Sequence, residues 1–426
     1  MSRISSAFLP TNQYLGAIWS LAGIRDLYVI NHGPAGCNFF EFAAGDKKTK
    51  ARLYNRFGTT TVEQEDIALS GGEEKLKKSL QEIAALEECA VIAVISNPVS
   101  SLIGVDIDAV VTEMGEAIQK PILAFDNMSW KEGAEAGIEK TLYTLLERFC
   151  PATKEAIIPK KKNINIIGPV INTFKWGANE KELRRIFQLL GYDINVVFPY
   201  EATTKKIAEM SCASLNIVTR ASGLKSAQYL REHFDIPFIY GLPWGQKHSL
   251  QWIEEVSKIL NIKVPREFFE NEEMISMHHY MEQVTAGAYY QNDWRTVIAC
   301  PSEMAVGFVQ LVREEWNLPV VAIRLTTIPM LDEIEKLREF GVDDIYVLPS
   351  EFEWKAVLNK TNPLILFGSI EETTLMKSSP IHMRINEPAY DTFDFFDGSP
   401  IIGFKGFQAL TEQLLNQISM YSILKS

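Results

Sequence analysis

Short apolar, β-rich runs alternate with amphipathic stretches of helical period along most of this chain, and that alternation limits the fold more than any other feature. "VIAVIS" (91–96) is followed by "IDAVVTEMGEAIQK", and "PILAF" (121–125) by "EAGIEKTLYTLLERF". After a lysine-rich link, "IPKKKN", the rhythm restarts with "INIIGP" (164–169), "EKELRRIFQLLGY", "INVVFP", "SLNIVT", "LKSAQYLREHF" and "IPFIY". A helical stretch expected from Ser249 to Tyr290 precedes a further restart at "TVIAC" (296–300), carried on by "PVVAIRL", "DIYVLP" and "PLILFG". Repeated βα units imply an α/β fold of three Rossmann-like domains with mainly parallel sheets. The expected spans are residues 1–160, 161–290 and 291–426, the last closing in the glycine-punctuated helix "GFKGFQALTEQLLNQI".

The chain has 426 residues, enough for several cores. Its 54 acidic and 42 basic side chains give a net charge of −12, with no basic block, so no nucleic-acid partner is expected. No signal-peptide pattern opens it, and no apolar stretch approaches the roughly 18 residues that span a bilayer. The expectation is a cytoplasmic protein with no membrane partner. Cys37, Cys89, Cys150, Cys212 and Cys300 are odd in number, unevenly spaced and without a CxxC pair, which argues against a disulfide framework or a self-contained zinc site. Cys89 and Cys150 are expected at helix ends, Cys212 on a helix and Cys300 at a strand end. Neither G-x-x-x-x-G-K-[ST] nor G-x-G-x-x-G follows a strand, so the chain is not expected to hydrolyse ATP itself.

Ligands of open parallel sheets gather at the carboxyl ends of strands. "HGPAGC" (32–37) follows "DLYVI" at such an end. Gly33 and Gly36 permit close approach or positive φ, and Pro34 stiffens the turn. Cys37 is then either a small buried hydrophobe or a preorganised thiolate ligand for iron. His32 is expected to hydrogen-bond within the turn, or to relay protons beside a bound group. Ser96 to Ser101, Asp126 to Met128, Gly168 with Pro169, and Cys300 also fall at strand ends. In "FGTTTVEQEDIALSGGEEKL" (57–76) the threonines offer hydroxyl caps, Glu63, Glu65 and Asp66 crowd together, and Gly71-Gly72 launches a charged helix. Trp176 and Trp244, with Met128, are either core or the walls of an apolar pocket for a planar ligand. The adjacent His278 and His279 point about 100° apart on a helix and do not chelate.

Taken in order, "YLGAIWSLAGIRDLYVINHGPAGC", "TTTVEQEDIALSGGEEKL" and "AVIAVISNPVSSLIGVDIDAVV" resemble the first domain of the nitrogenase component 1 superfamily. That superfamily includes the nitrogenase molybdenum-iron protein subunits, their cofactor-assembly homologues and the dark-operative protochlorophyllide and chlorophyllide reductases. "INIIGP", "GYDINVVFP", "SLNIVTRASGLKSAQYLREHFDIPFI" and "GFKGFQALTEQLLNQI" look like its later landmarks.

The resemblance implies a non-ATPase subunit of a nitrogenase-like reductase. It would pair with a homologous, cysteine-richer subunit as a hetero-oligomer, a homodimer being the variant, and take electrons from a separate ATP-dependent iron protein to reduce a small or tetrapyrrole-like substrate. It also implies a [4Fe-4S] cluster shared with the partner subunit, with Cys37 as metal ligand and His32, Gly33 and Gly36 around it. Of three first-domain cysteines usual in the family only Cys37 is present, the other positions falling near Pro10 or Thr11 and near Pro98. One ligand from this turn has a counterpart in the B subunit of protochlorophyllide reductase, which supplies a single carboxylate. Asn97, Asp66 and Glu63 are the non-thiolate neighbours. His382 precedes the family's cofactor-histidine position, nearer Ile385, and is expected to be a strand-end residue, so dinitrogen reduction by this chain alone is not implied. The alternatives within the resemblance are a cofactor-assembly scaffold and a non-catalytic structural subunit.

Overall fold

The computed structural model describes residues 12–34, 56–69, 72–97, 105–126, 132–151, 162–268, 294–376, 381–389, 391–392 and 398–425. The chain divides into two compact units, one of residues 9–172 and 194–238, the other of residues 1–8, 173–193 and 239–426. Among the described residues thirteen strands form three sheets. The first holds β1 (Leu27–His32), β2 (Phe57–Thr59), β3 (Val91–Ser96) and β4 (Ile122–Phe125) in the order β2-β1-β3-β4, all parallel. The second holds β5 (Asn163–Ile167), β6 (Asp193–Phe198), β7 (Leu215–Val218) and β8 (Phe238–Tyr240) in the order β6-β5-β7-β8. The third holds β9 (Thr296–Cys300), β10 (Val320–Leu325), β11 (Ile345–Val347), β12 (Ile365–Gly368) and β13 (Ile381–Arg384) in the order β11-β10-β9-β12-β13, again parallel.

These orders place the switch points, where successive connections leave in opposite directions, between β1 and β3 in the first sheet, between β5 and β7 in the second and between β9 and β12 in the third. In open α/β sheets ligands gather at such points, outside the carboxyl ends of the strands. β1 and β3 are buried at every residue, which is why they read as unbroken apolar runs rather than alternating ones. Leu76 and Leu80 of the helix Glu73–Ala84, with Ile107, Val110 and Met114 of the helix Ile107–Ala117, pack on Tyr28, Ile30, Ile92 and Val94. Each such aliphatic side chain contributes about 1.5–3 kcal/mol on full burial, so the first sheet is a rigid base for whatever its strand ends carry.

Several sequence expectations meet local differences. The short strand β2 has no alternating pattern to announce it and exists because Phe57 to Thr59 pair with Val29 to Asn31. His382 lies inside β13, opposite Leu366, rather than at a strand end. The helix expected from Ser249 is Lys247–Leu260, closed by Asn261 in the left-handed conformation at φ 53°. Residues 269–293, with His278 and His279, lie outside the described residues. Trp176 and Trp244 are core, each 2% exposed, and the Trp244 ring meets Phe308 edge-on at 5.5 Å. Met128 lies outside the described residues. Cys89, Cys150 and Cys300 are buried, and burial pushes each thiol up, away from ligating character. Cys212 ends a short 3₁₀ turn, Glu209–Cys212.

Two buried carboxylates tie together the unit that contains the third sheet. Glu182, on the helix Trp176–Leu189, takes Arg185 through two bonds of 2.7 Å and accepts the Lys405 N–H at 3.2 Å. Beside it the Asn179 Oδ1 accepts the Ile401 N–H at 2.9 Å, so this helix grips the start of the terminal helix Gly403–Lys425. Glu315 ends a π-helical turn, Leu311–Glu315, and accepts the Gln246 N–H at 3.0 and 2.9 Å and the Lys247 N–H at 3.3 Å, capping the helix Lys247–Leu260. Burial pushes the Glu315 carboxyl up to about 7. Nearby, His248 Nδ1 accepts the Trp244 N–H at 3.2 Å, and burial lowers that imidazole to about 4.

Glu182→Ala is expected to lower stability by about 1.5–3 kcal/mol, because hydrogen bonds to a charged, buried acceptor are lost. Glu180→Ala, which breaks only the more exposed Glu180–Arg184 pair, is expected to cost under about 1 kcal/mol. Urea-unfolding midpoints of the two variants separate these cases.

Glu315 gives a pH signature of definite sign. Its folded carboxyl holds a proton that the unfolded chain, at an ordinary 4.5, releases, so its stabilising contribution is full below pH 4.5 and is lost as pH rises to about 7. The stability of Glu315→Gln relative to the natural chain is therefore expected to rise across that window and level off above it, read from urea midpoints at a series of pH values.

Candidate functional site

The β1/β3 switch point is built around one glycine, Gly33. β1 ends at His32, opposite Ser96 of β3, and the Asn97 N–H donates to the His32 carbonyl at 3.2 Å. The next residue, Gly33, lies so close to Asn97 that a Cβ there would stand 1.8 Å from Asn97 Nδ2. Glycine at this position is a requirement of that contact. Just upstream, the Asn31 side-chain amide donates to the Tyr14 hydroxyl.

The threonine run after β2 wraps the same turn. Gly33 N–H donates to Thr60 Oγ1 at 3.0 Å, while the Gly33 carbonyl accepts the Thr59 hydroxyl and the Val62 N–H, each at 3.1 Å. Thr60 N–H donates to the Asn31 carbonyl at 3.2 Å, and Thr60 Oγ1 lies 3.0 Å from His32 Nδ1. The chain reaches all these partners by reversing at Thr61, whose φ of 50° is a left-handed conformation that a β-branched residue adopts only under strain. Such strain costs about 1–3 kcal/mol and persists only where surrounding bonds enforce it. Lys75 Nζ supplies one, to the Thr61 carbonyl at 3.1 Å. Gly72 closes the cage at φ 90°, where a Cβ would stand 2.8 Å from Val62 Cγ2 and 3.2 Å from His32 Cε1.

The two landmarks "HGPAGC" and "TTTVEQED" are thus joined through Gly33, Thr59, Thr60 and Val62. The sequence leads one to expect a His32 hydrogen bond within its own turn; among the described residues its ring meets Thr60, from the second landmark. The run of three hydroxyls was the signal for it, and only the register of β2 on β1 shows which threonine reaches which atom. Asp66 is already committed: it pairs with Lys75 at 2.7 Å and accepts the Glu63 N–H at 2.7 Å, and the Lys75 bond holds its carboxyl below the usual range. Glu63 points outward, its side chain 69% exposed. Neither acid is presented to the turn as a ligand.

Gly36 and Cys37 lie outside the described residues, Pro34 being the last one described before them. Among the described residues no group of three or more His, Cys, Asp or Glu side chains could hold a metal ion. Around the turn they offer one imidazole, hydroxyls and an amide, whereas a [4Fe-4S] cluster takes four ligands, as a rule thiolates. The described residues therefore do not fit a complete cluster site. What they form is a rigid seat for the segment just beyond Pro34.

The β9/β12 switch point is occupied by bonds internal to the fold. Ser302 N–H donates to Thr327 Oγ1 at 2.8 Å, and Arg324 Nη1 bridges Glu371 at 3.1 Å and Glu372 at 2.6 Å. Glu372 also accepts from the Ser369 N–H and hydroxyl at 2.9 Å. On β13, His382 sits beside Arg384, which pairs with Asp391, and burial together with Arg384 lowers the imidazole to about 3. These arginines, in "VVAIRL" and "IHMR", were not singled out in the sequence, although a charge inside an apolar strand already calls for a buried partner.

Among the described residues no helix is long and apolar enough to cross a membrane. The protochlorophyllide reductase B subunit of Prosthecochloris aestuarii, described as light-independent, is 21% identical over 409 residues, covering 92% of this chain and 75% of that one. The nitrogenase molybdenum-iron protein alpha chain of Clostridium pasteurianum is 29% identical over 228 residues, covering 52% of this chain and 40% of that one. The nitrogenase iron-molybdenum cofactor biosynthesis protein NifE of Methanococcus maripaludis is 29% identical over 264 residues, covering 62% and 52%. The solved structure titled "Nitrogenase Cp1 at pH 6.5" superposes with a TM-score of 0.77 at 17% identity, covering 99% of this chain and 95% of that one, which shows the fold. Residues 12–419 match the family described as nitrogenase component 1 type oxidoreductase, and the chain belongs to that family.

Proposed function

We propose that this chain is the non-ATPase, cysteine-poor subunit of a nitrogenase-like reductase, pairing with a homologous subunit and accepting electrons from a separate ATP-dependent iron protein. The observation that carries this reading is the clamp on Gly33. Three bonds from the threonine segment fix the backbone of Gly33, four residues before Cys37 in the sequence. Fixing a ligand before it binds reduces the ordering entropy that binding must offset. In this reading Cys37 is the chain's one thiolate toward a [4Fe-4S] cluster, and the homologous subunit supplies the remaining ligands.

A cluster in that place would supply one-electron chemistry. The work of this chain's own described residues is to fix Gly33 ahead of Cys37, to bury His32 at the end of β1, and to floor the site with the apolar strands β1 and β3. The absence of a nucleotide-cradling glycine loop supports assigning ATP hydrolysis to another protein. A cofactor-assembly scaffold is the second reading, favoured by the single cysteine at a turn where relatives carry a set. The substrate class under the first reading is a small molecule or a tetrapyrrole.

The test is anaerobic co-purification with the homologous subunit, followed by iron quantitation and EPR of the reduced complex. Cys37→Ala is expected to lose most of the cluster signal while still co-purifying. An undiminished signal in Cys37→Ala would refute the single-thiolate assignment. A cluster-containing complex that accepts no electrons from the iron protein would favour the scaffold.

A further inference from the structure

The hydroxyl of Thr60 is buried, the residue being 5% exposed, so its proton needs an acceptor. One lone pair of Thr60 Oγ1 is taken by the Gly33 N–H at 3.0 Å. Among the described residues the only other group bonded to that oxygen is His32 Nδ1, at 3.0 Å. Were Nδ1 protonated, both contacts would point hydrogens at the oxygen and the hydroxyl proton would be left without an acceptor. With Nδ1 unprotonated, the Gly33 amide donates to the hydroxyl and the hydroxyl donates to the ring, so every proton in the chain of bonds is placed.

We infer that Thr60 is a positioning residue that holds His32 as the neutral Nε2–H tautomer, making this imidazole a hydrogen-bond donor at the turn and excluding it as a metal ligand. Nδ1 is occupied by the Thr60 proton, and Nε2 carries the ring's own proton, so neither nitrogen presents a lone pair to a metal. The ring is fully buried, and its Nδ1 lies 3.0 Å from Thr60 Oγ1. The strained Thr61, at φ 50°, is what turns Thr60 inward while letting Val62 reach the Gly33 carbonyl. Nε2–H is thereby the ring's one donor. This inference stands on the cage alone and holds whether or not Cys37 ligates a cluster.

The chain contains six histidines, few enough for nitrogen-15 NMR of the full chain labelled at histidine, with His32→Gln identifying the His32 signals by their loss. The expected natural pattern is an unprotonated Nδ1 and a protonated Nε2. In Thr60→Val the two resonances are expected to move toward each other as the tautomers begin to interconvert, and Thr60→Ser is expected to restore the natural pattern. A protonated Nδ1 in the natural chain, or an unchanged pattern in Thr60→Val, overturns the assignment. Should Thr60→Val fail to fold, the natural chain and Thr60→Ser still decide it, since both must show Nε2–H. Because this readout needs neither iron nor the partner, its failure is distinct from failure of the electron-transfer reading.

Discussion

The backbone of Gly33, through both peptide groups that flank it, is the constraint on which the candidate site depends. Its N–H goes to Thr60, its carbonyl to Thr59 and Val62, and its α-carbon stands against Asn97. Each bond alone contributes about 0.5–1.5 kcal/mol, too little to fix a loop. Together they fix it, because their partners lie at or just after the end of a strand already registered on β1 and their strained corner at Thr61 is braced by Lys75. Preorganisation of this kind costs stability locally and is sustained by the buried sheet beneath it.

The fold explains why the clamp sits where it does. In the order β2-β1-β3-β4 the chain departs from β1 to one side and later resumes on the other, so loops diverge above the carboxyl ends of β1 and β3. His32 and Asn97 are the residues at those two ends, and β2 brings the threonines alongside. The third sheet has its own switch point, but there Arg324, Glu371, Glu372 and Ser369 satisfy one another, which makes that crevice a structural joint. That contrast makes the first of the two the candidate site.

Much of this was legible in the sequence. The apolar runs "LYVI", "VIAVIS", "INII" and "TVIAC" became β1, β3, β5 and β9, because strands covered on both faces need continuous apolar residues. The importance of "HGPAGC" and of the threonine run was also legible. What could not be read was their union. His32 and Thr60 are 28 residues apart in sequence, and only the pairing of β2 with β1 brings them together. The strand orders escaped for the same reason, since they are decided by crossover connections and not by local pattern. Asp66 and Glu63 looked like ligand candidates because a sequence shows acids without showing that Lys75 and a backbone amide already engage Asp66.

Under the proposed function, this chain brings one thiolate, Cys37, to a cluster it cannot hold alone. Native mass spectrometry of the anaerobically purified complex, before and after dissociation of its subunits, tests it most directly. The expected result is one [4Fe-4S] mass per pair of homologous subunits, with this chain released free of iron. A complete cluster retained on this chain in isolation, or a complex of the two subunits with no iron–sulfur mass at all, would contradict it.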